Sequence, residues 1–171
     1  MFIQSEQNYN QIVEEFSNMI YRIAYQNLCN ISDAEDIVQE VFLSLLKSWE
    51  KDFTDKEHLK AWLIKVTVNK CINFRKSFWK QNTVPLEEQT LSYTDEERTV
   101  MDEVMKLPSD YRNIIYLYYY EGYTIKEIAE ILGKKQNTIN SKLQRGRKKL
   151  RAELEKGETY YEEKQLHKCN G

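Results

Sequence analysis

Four stretches of this chain carry the same helix-start signature: Ser32-Asp33-Ala34-Glu35, Thr54-Asp55-Lys56-Glu57, Thr94-Asp95-Glu96-Glu97 and Thr124-Ile125-Lys126-Glu127. In this capping box the hydroxyl accepts from one orphan backbone amide, and the glutamate three residues on reaches back to another. Each box is followed by apolar residues at helical spacing, which commits the chain to helix at four separate places. The periodicity predicts helices over about 7–28, with Ile12, Phe16, Met19, Ile20 and Ile23 on one face, and over 33–49, with Ile37, Val38, Val41, Phe42, Leu45 and Leu46. A third, over 55–78, uses Leu59, Trp62, Leu63 and Val66 and ends in the aromatic stretch Phe74, Phe78, Trp79. Further helices are expected near 95–106, 109–121 (stopped by Gly122), 125–132 (stopped by Gly133) and 136–155, the last with Ile139, Leu143, Leu150 and Leu154. No segment alternates as a strand, and five glycines and two prolines are too few for the many turns of an all-β sandwich. The expected class is all-α.

Gln81–Thr94 contains the first proline, is mostly polar and has weak periodicity, so it reads as a flexible linker. The 171 residues therefore divide into two small helical domains, 1–80 and 95–156, joined by the linker 81–94 and followed by a tail, 157–171, that could extend the last helix. No apolar run approaches the ~20 residues needed to cross a bilayer, and the first residues do not read as a signal peptide, so a cytoplasmic protein is expected. Cys29, Cys71 and Cys169 are odd in number and far apart, which excludes a closed disulfide framework. His167 and Cys169 lie close together in the tail without further ligands in view, so no metal and no cofactor is expected. A phosphate loop, a nucleophile elbow and a paired-histidine motif are all lacking, and an enzyme is not expected.

A formal charge of −2 conceals a segregation. Residues 81–110 hold 2 basic and 8 acidic side chains, whereas 111–156 hold 11 and 5. Two stretches lack acids altogether: His58–Leu86, with Lys60, Lys65, Lys70, Arg75, Lys76 and Lys80, and Gly133–Ala152, with eight lysines and arginines. One such run is commonly a solvated helix face; two, separated by an acidic connector, suit a protein that touches a polyanion at two places.

Residues 124–143 have helix-turn-helix spacing. Ala129 is the small residue where the second helix crosses the first, Gly133 supplies the tight turn, and Ile139 anchors the second helix. Opposite Ile139 and Leu143 that helix carries Asn137, Thr138, Asn140, Ser141, Lys142, Gln144, Arg145 and Lys148. Amide and guanidinium groups read base edges in the major groove, and Arg147, Lys148, Lys149 and Arg151 suit phosphates. The neighbouring YLYYYEGY stretch reads as packing, with Tyr116, Leu117 and Tyr120 as core and surface residues.

Together with this motif, Asp33-Ala34-Glu35-Asp36-Ile37-Val38-Gln39-Glu40-Val41-Phe42 and Ala61-Trp62-Leu63-Ile64-Lys65-Val66-Thr67-Val68-Asn69 closely resemble the sigma-70 family of bacterial transcription initiation factors, in its short extracytoplasmic-function (ECF) group. The resemblance covers roughly residues 8–155 and rests on three ordered motifs. It implies a region 2 module that binds core RNA polymerase and melts the −10 element, and a region 4 module that reads the −35 element. Asp36, Gln39, Glu40 and Phe42 would dock on the clamp coiled coil, with Val41 in the core. The loop Lys51–Lys56, with Phe53 and Thr54, resembles the pocket for a flipped −10 base. Lys65, Asn69, Asn73, Arg75 and Lys76 would meet the opened strand, and Trp62 reads as core. The resemblance also implies a contact of the C-terminal module with the polymerase flap, an acidic linker in the RNA-exit path, an anti-sigma partner and no stable homo-oligomer.

The chain departs from the family pattern at three places. Lys135 stands where relatives often have a serine cap, so the recognition helix is expected to start with help from Asn137. Gly146 replaces a common alanine at a cost of up to ~1 kcal/mol, and Asn73 replaces a frequent aspartate. A plain helix-turn-helix regulator would explain 109–155 but not 33–42 or 61–80. A helical scaffold without a DNA role would leave the basic runs unexplained.

Overall fold

A computed structural model describes residues 6–48, 53–81 and 103–169, with side chains over 8–48, 53–77 and 103–155. The Thr94 capping box, linker positions 82–94 and the start of the helix expected near 95–106 lie outside the described residues. So do the side chains of Phe78, Trp79, His167 and Cys169. Residues 103–105 are helical, and no strand occurs among the described residues.

The elements in chain order are α1 (Glu6–Leu28), α2 (Ile31–Lys47), α3 (Lys56–Gln81), α4 (Ser109–Ile115), which runs into a π-helical turn (Tyr116–Tyr120), then α5 (Ile125–Leu132) and α6 (Gln136–Cys169). The chain separates into two compact units, one holding α1–α3 and the other holding α4 and α6. Helix α6 continues through the tail to Cys169, well beyond the expected end near 155.

In the first unit α1 packs against both α2 and α3, and these pack on each other. All five residues expected on the inner face of α1 are buried, together with Ile37, Val41 and Leu45 of α2 and Leu59, Leu63 and Ile64 of α3. Only two residues separate α1 from α2. Cys29 sits in the left-handed region at φ 56° and closes the end of α1, its amide donating to the Tyr25 carbonyl at 2.8 Å. Asn30 then caps α2, its side chain accepting from the Asp33 amide at 3.0 Å. The capping residue is thus Asn30 rather than Ser32, because the tight connection starts the helix two residues earlier. The second box is also displaced by one: Asp55, not Thr54, accepts from the His58 amide at 2.7 Å. The Lys56–Glu15 and Lys70–Glu40 ion pairs tie α3 to α1 and α2. Each has a solvent-exposed partner and contributes at most ~1 kcal/mol.

In the second unit α4 packs along α6. Gly146 lies at that crossing: a Cβ there would sit 3.1 Å from Ile115 Cδ1 and 3.4 Å from Tyr111 Cδ1. The glycine is therefore a close-approach residue, and not only a weak point in the helix. The π turn ends at Gly122, φ 76°, with the Tyr123 amide donating to the Leu117 carbonyl at 3.0 Å.

Candidate nucleic-acid and polymerase interfaces

The helix-turn-helix forms as its spacing demands. At Thr124 the reciprocal capping box closes: the Thr124 amide donates to Glu127 Oε2 at 2.8 Å, and the Glu127 amide donates to Thr124 Oγ1 at 3.3 Å. The hydroxyl and amide of Thr124 hold the Glu127 carboxyl below its ordinary value. Helix α5 then ends in a left-handed glycine, Gly133 at φ 62°. The Lys134 amide donates to the Ala129 carbonyl at 2.9 Å and the Gly133 amide to Glu130 at 3.3 Å, a Schellman pair. Ala129 and Ile139 are buried, as is Leu143. Helix α6 begins at Gln136, one residue before Asn137. Lys135 is thus the N-terminal flanking residue, and its carbonyl accepts from Thr138 at 2.9 Å and Ile139 at 3.1 Å. Asn137 lies inside the helix, so it does not start it.

On the face away from Ile139 and Leu143, Asn137, Thr138, Asn140, Ser141, Gln144, Arg145 and Lys148 are all exposed. Lys142 differs. It is half-buried, and its ammonium binds Asp110 of α4. Arg147 also turns back on the protein, its guanidinium lying 5.1 Å from the Tyr118 ring centre and 5.3 Å from that of Tyr119. Sequence reasoning missed both ties: Asp110 is 32 residues from Lys142, and no local pattern reveals such distant partners. The tyrosine run is packing on one side, with Leu117 buried and Tyr116 stacked on Tyr120 at 5.0 Å. On the other side it holds this arginine.

In the first unit the acid-free run that starts at His58 forms a ridge on α3. Lys65, Asn69, Asn73 and Lys76 are exposed at spacings of three or four, with Arg75 half-buried beside them. Thr54 is exposed as well. Phe53 corrects the expectation: it is 2% exposed, edge-on to His58 at 5.6 Å and to Trp62 at 5.5 Å, because a bulky ring ahead of α3 gains more from the interior than from solvent. Trp62, expected in the core, is only half-buried, packed against this ring; positions 51–52 of the loop lie outside the described residues. Cys71, fully buried on the inner face of α3, has its thiol pushed up to about 12 by burial.

On α2, Asp36, Gln39 and Glu40 are exposed, but Phe42 is buried and packs edge-on against Tyr9 at 6.3 Å. The apolar residues that follow the acids along the outer ridge are Leu43, 53% exposed, and Leu46, 40% exposed. Leu46 was expected on the core face. Leu43 stood off the buried stripe in the sequence, a signal that an apolar residue there had no interior place. Among the described residues no cluster of three or more His, Cys, Asp and Glu side chains could hold a metal ion, and no helix is long and apolar enough to cross a membrane.

A polar and basic ridge on α3 and a helix-turn-helix formed by α5 and α6 define a nucleic-acid-binding protein of bipartite design. The sigma-70 region 2 family matches residues 12–81, and the sigma-70 region 4 family matches 97–150. The chain is 33% identical over 144 residues to RNA polymerase sigma factor SigV of Bacillus subtilis (strain 168), covering 80% of this chain and 84% of that one. To the ECF RNA polymerase sigma factor SigW of the same organism it is 28% identical over 163 residues, covering 84% and 87%. Among solved structures, the sigma factor RpoE in complex with the anti-sigma factor NepR from Bartonella quintana superposes with a TM-score of 0.74 at 21% identity, over 87% of this chain and 98% of that one. The chain belongs to the ECF group of the sigma-70 family of RNA polymerase sigma factors. As such it binds core RNA polymerase and directs transcription initiation at promoters, and the reading as a regulator acting without polymerase is not favoured. The families it matches are not catalytic ones.

Proposed function

We propose that the division of labour follows the two units: residues 1–80 bind the polymerase clamp and hold the melted −10 strand, and 95–156 contact the flap and read the −35 duplex. Residues 81–94 connect them as a linker in the RNA-exit path, and 157–171 form a tail. The observation that carries this reading is the exposed face of α6. There Asn137, Asn140, Ser141, Gln144 and Arg145 offer paired donors and acceptors in the register that enters a major groove.

On α3, Lys65, Asn69, Asn73, Arg75 and Lys76 present amides and cations to unstacked bases, with Thr54 at the rim of the flipped-base pocket. Capturing an extruded base offsets an unstacking cost of a few kcal/mol, so melting needs no bond chemistry and the protein acts without being an enzyme. On α2, Asp36, Gln39 and Glu40 with Leu43 and Leu46 suit a basic and apolar partner helix; Phe42 supports that ridge from inside. An anti-sigma factor is the further partner, by analogy with the solved complexes of similar fold, and the protein acts in the cytoplasm as a dissociable subunit and not as a stable homo-oligomer.

Run-off transcription with purified core RNA polymerase on a pool of promoter fragments tests the reading. Discrete starts that need both components are expected, and their mapped sequences give the −10 and −35 elements. Absence of new starts together with failure to co-elute with core would overturn it.

A further inference from the structure

Lys142 projects from the recognition helix, four residues after Thr138 and three before Arg145, both of which are exposed. Its ammonium is nevertheless held by Asp110 Oδ2. Asp110 lies in the first turn of α4. The pair is open to solvent, with the lysine side chain 31% and the aspartate 61% exposed, so it can be broken. A carboxylate and a phosphate diester are both oxygen anions competing for one ammonium.

Resting on the assignment of α6 to duplex DNA, we propose that Asp110 is a positioning residue that sets DNA affinity by withholding Lys142 from the phosphate backbone. Phosphate contacts carry no sequence information. Withholding one therefore weakens promoter and random duplex alike, and shifts the balance of the interface towards Asn140, Ser141, Gln144 and Arg145. The pair makes the C-terminal unit less adhesive to bulk DNA without altering the residues that read bases.

The test is salt-dependent binding of the full-length protein in holoenzyme with core polymerase, on a −35-containing duplex and a random duplex, from about 50 to 200 mM salt. Asp110→Asn is expected to tighten both by about threefold or more at the low end, and to steepen the slope of log affinity against log salt by ~0.9, one phosphate contact. In a Lys142→Gln background the same substitution is expected to change neither quantity. An unchanged slope in Asp110→Asn overturns the proposal. So does an equal gain in the Lys142→Gln background, which would mean that removing an acid acts through the general field. Thermal unfolding of each variant establishes that it folds. If the parent holoenzyme shows no preference for the promoter over random duplex, the promoter reading falls, and the slopes on random duplex still decide the role of Asp110.

Discussion

Cys29 holds a left-handed backbone conformation without being glycine, at the two-residue joint between α1 and α2. A β-carbon there costs on the order of 1 kcal/mol. Cys29→Gly is therefore expected to raise stability by ~0.5–1 kcal/mol, and Cys29→Val to lower it by more, as measured by urea unfolding. A second residue-scale effect belongs to Glu127. Its carboxyl is held below the ordinary value by the Thr124 hydroxyl and amide, so the charged form is the one the fold favours. The stability it adds is present above the unfolded value near 4.5 and is lost as pH falls through the lower folded value. Thermal melts between about pH 6 and pH 3 are expected to show a smaller loss in Glu127→Gln than in the parent, since that variant has no charge to neutralise. An identical loss in both would remove the capping box as a contributor.

Among the elements, α6 departs most from simple helix chemistry. Lys135, at its N-terminal edge, brings no side-chain acceptor, and Gly146 interrupts a run of good helix formers. A glycine inside a helix costs up to ~1 kcal/mol relative to alanine, yet here the missing methyl lets α4 approach. The two effects nearly offset for one carbon and not for three. Gly146→Ala is expected to stay within ~1 kcal/mol of the parent, and Gly146→Val to lose ~1–3 kcal/mol by crowding Ile115 and Tyr111. Equal stability of all three proteins in urea unfolding would show that the crossing is looser than the structure has it. The caps make the same point about elements: the sequence pattern named the right turn three times among the described helices, but the capping side chain itself was correct only at Thr124. Asn30 and Asp55 took the other two places, because a short connection or a neighbouring carboxylate can start the helix one or two residues away.

At the scale of the whole molecule, binding is divided between separate hydrophobic cores. Ile139 is fully buried beneath the recognition helix. Ile139→Ala is expected to cost ~2–5 kcal/mol in the second unit and to abolish −35 binding, while co-elution with core polymerase through the first unit persists. Loss of both together would mean that the units do not fold separately. Within the recognition helix, Arg145→Ala is expected to cost ~1–3 kcal/mol on the promoter and much less on random duplex. Lys149→Ala should weaken all duplexes alike and flatten the salt slope by ~0.9. Equal losses on promoter and random DNA for both variants would sink the division between base-reading and phosphate-holding residues.

By itself the sequence determined the helical class, the approximate place of each described helix and the helix-turn-helix. It also placed the polar and basic ridges on α3 and α6, and the three ordered motifs carry family membership. All of these depend on interactions within a few residues along the chain: caps, glycine turns and apolar spacing. Tertiary structure alone decided that Phe42 and Phe53 face inward, that Leu43 and Leu46 face outward, and that Lys142 and Arg147 are tied to Asp110 and to Tyr118 and Tyr119. An apolar stripe on a helix is wider than the contact that covers it, so burial is settled only when a neighbouring helix arrives. A long cation finds its partner only when distant segments are brought within a few ångströms.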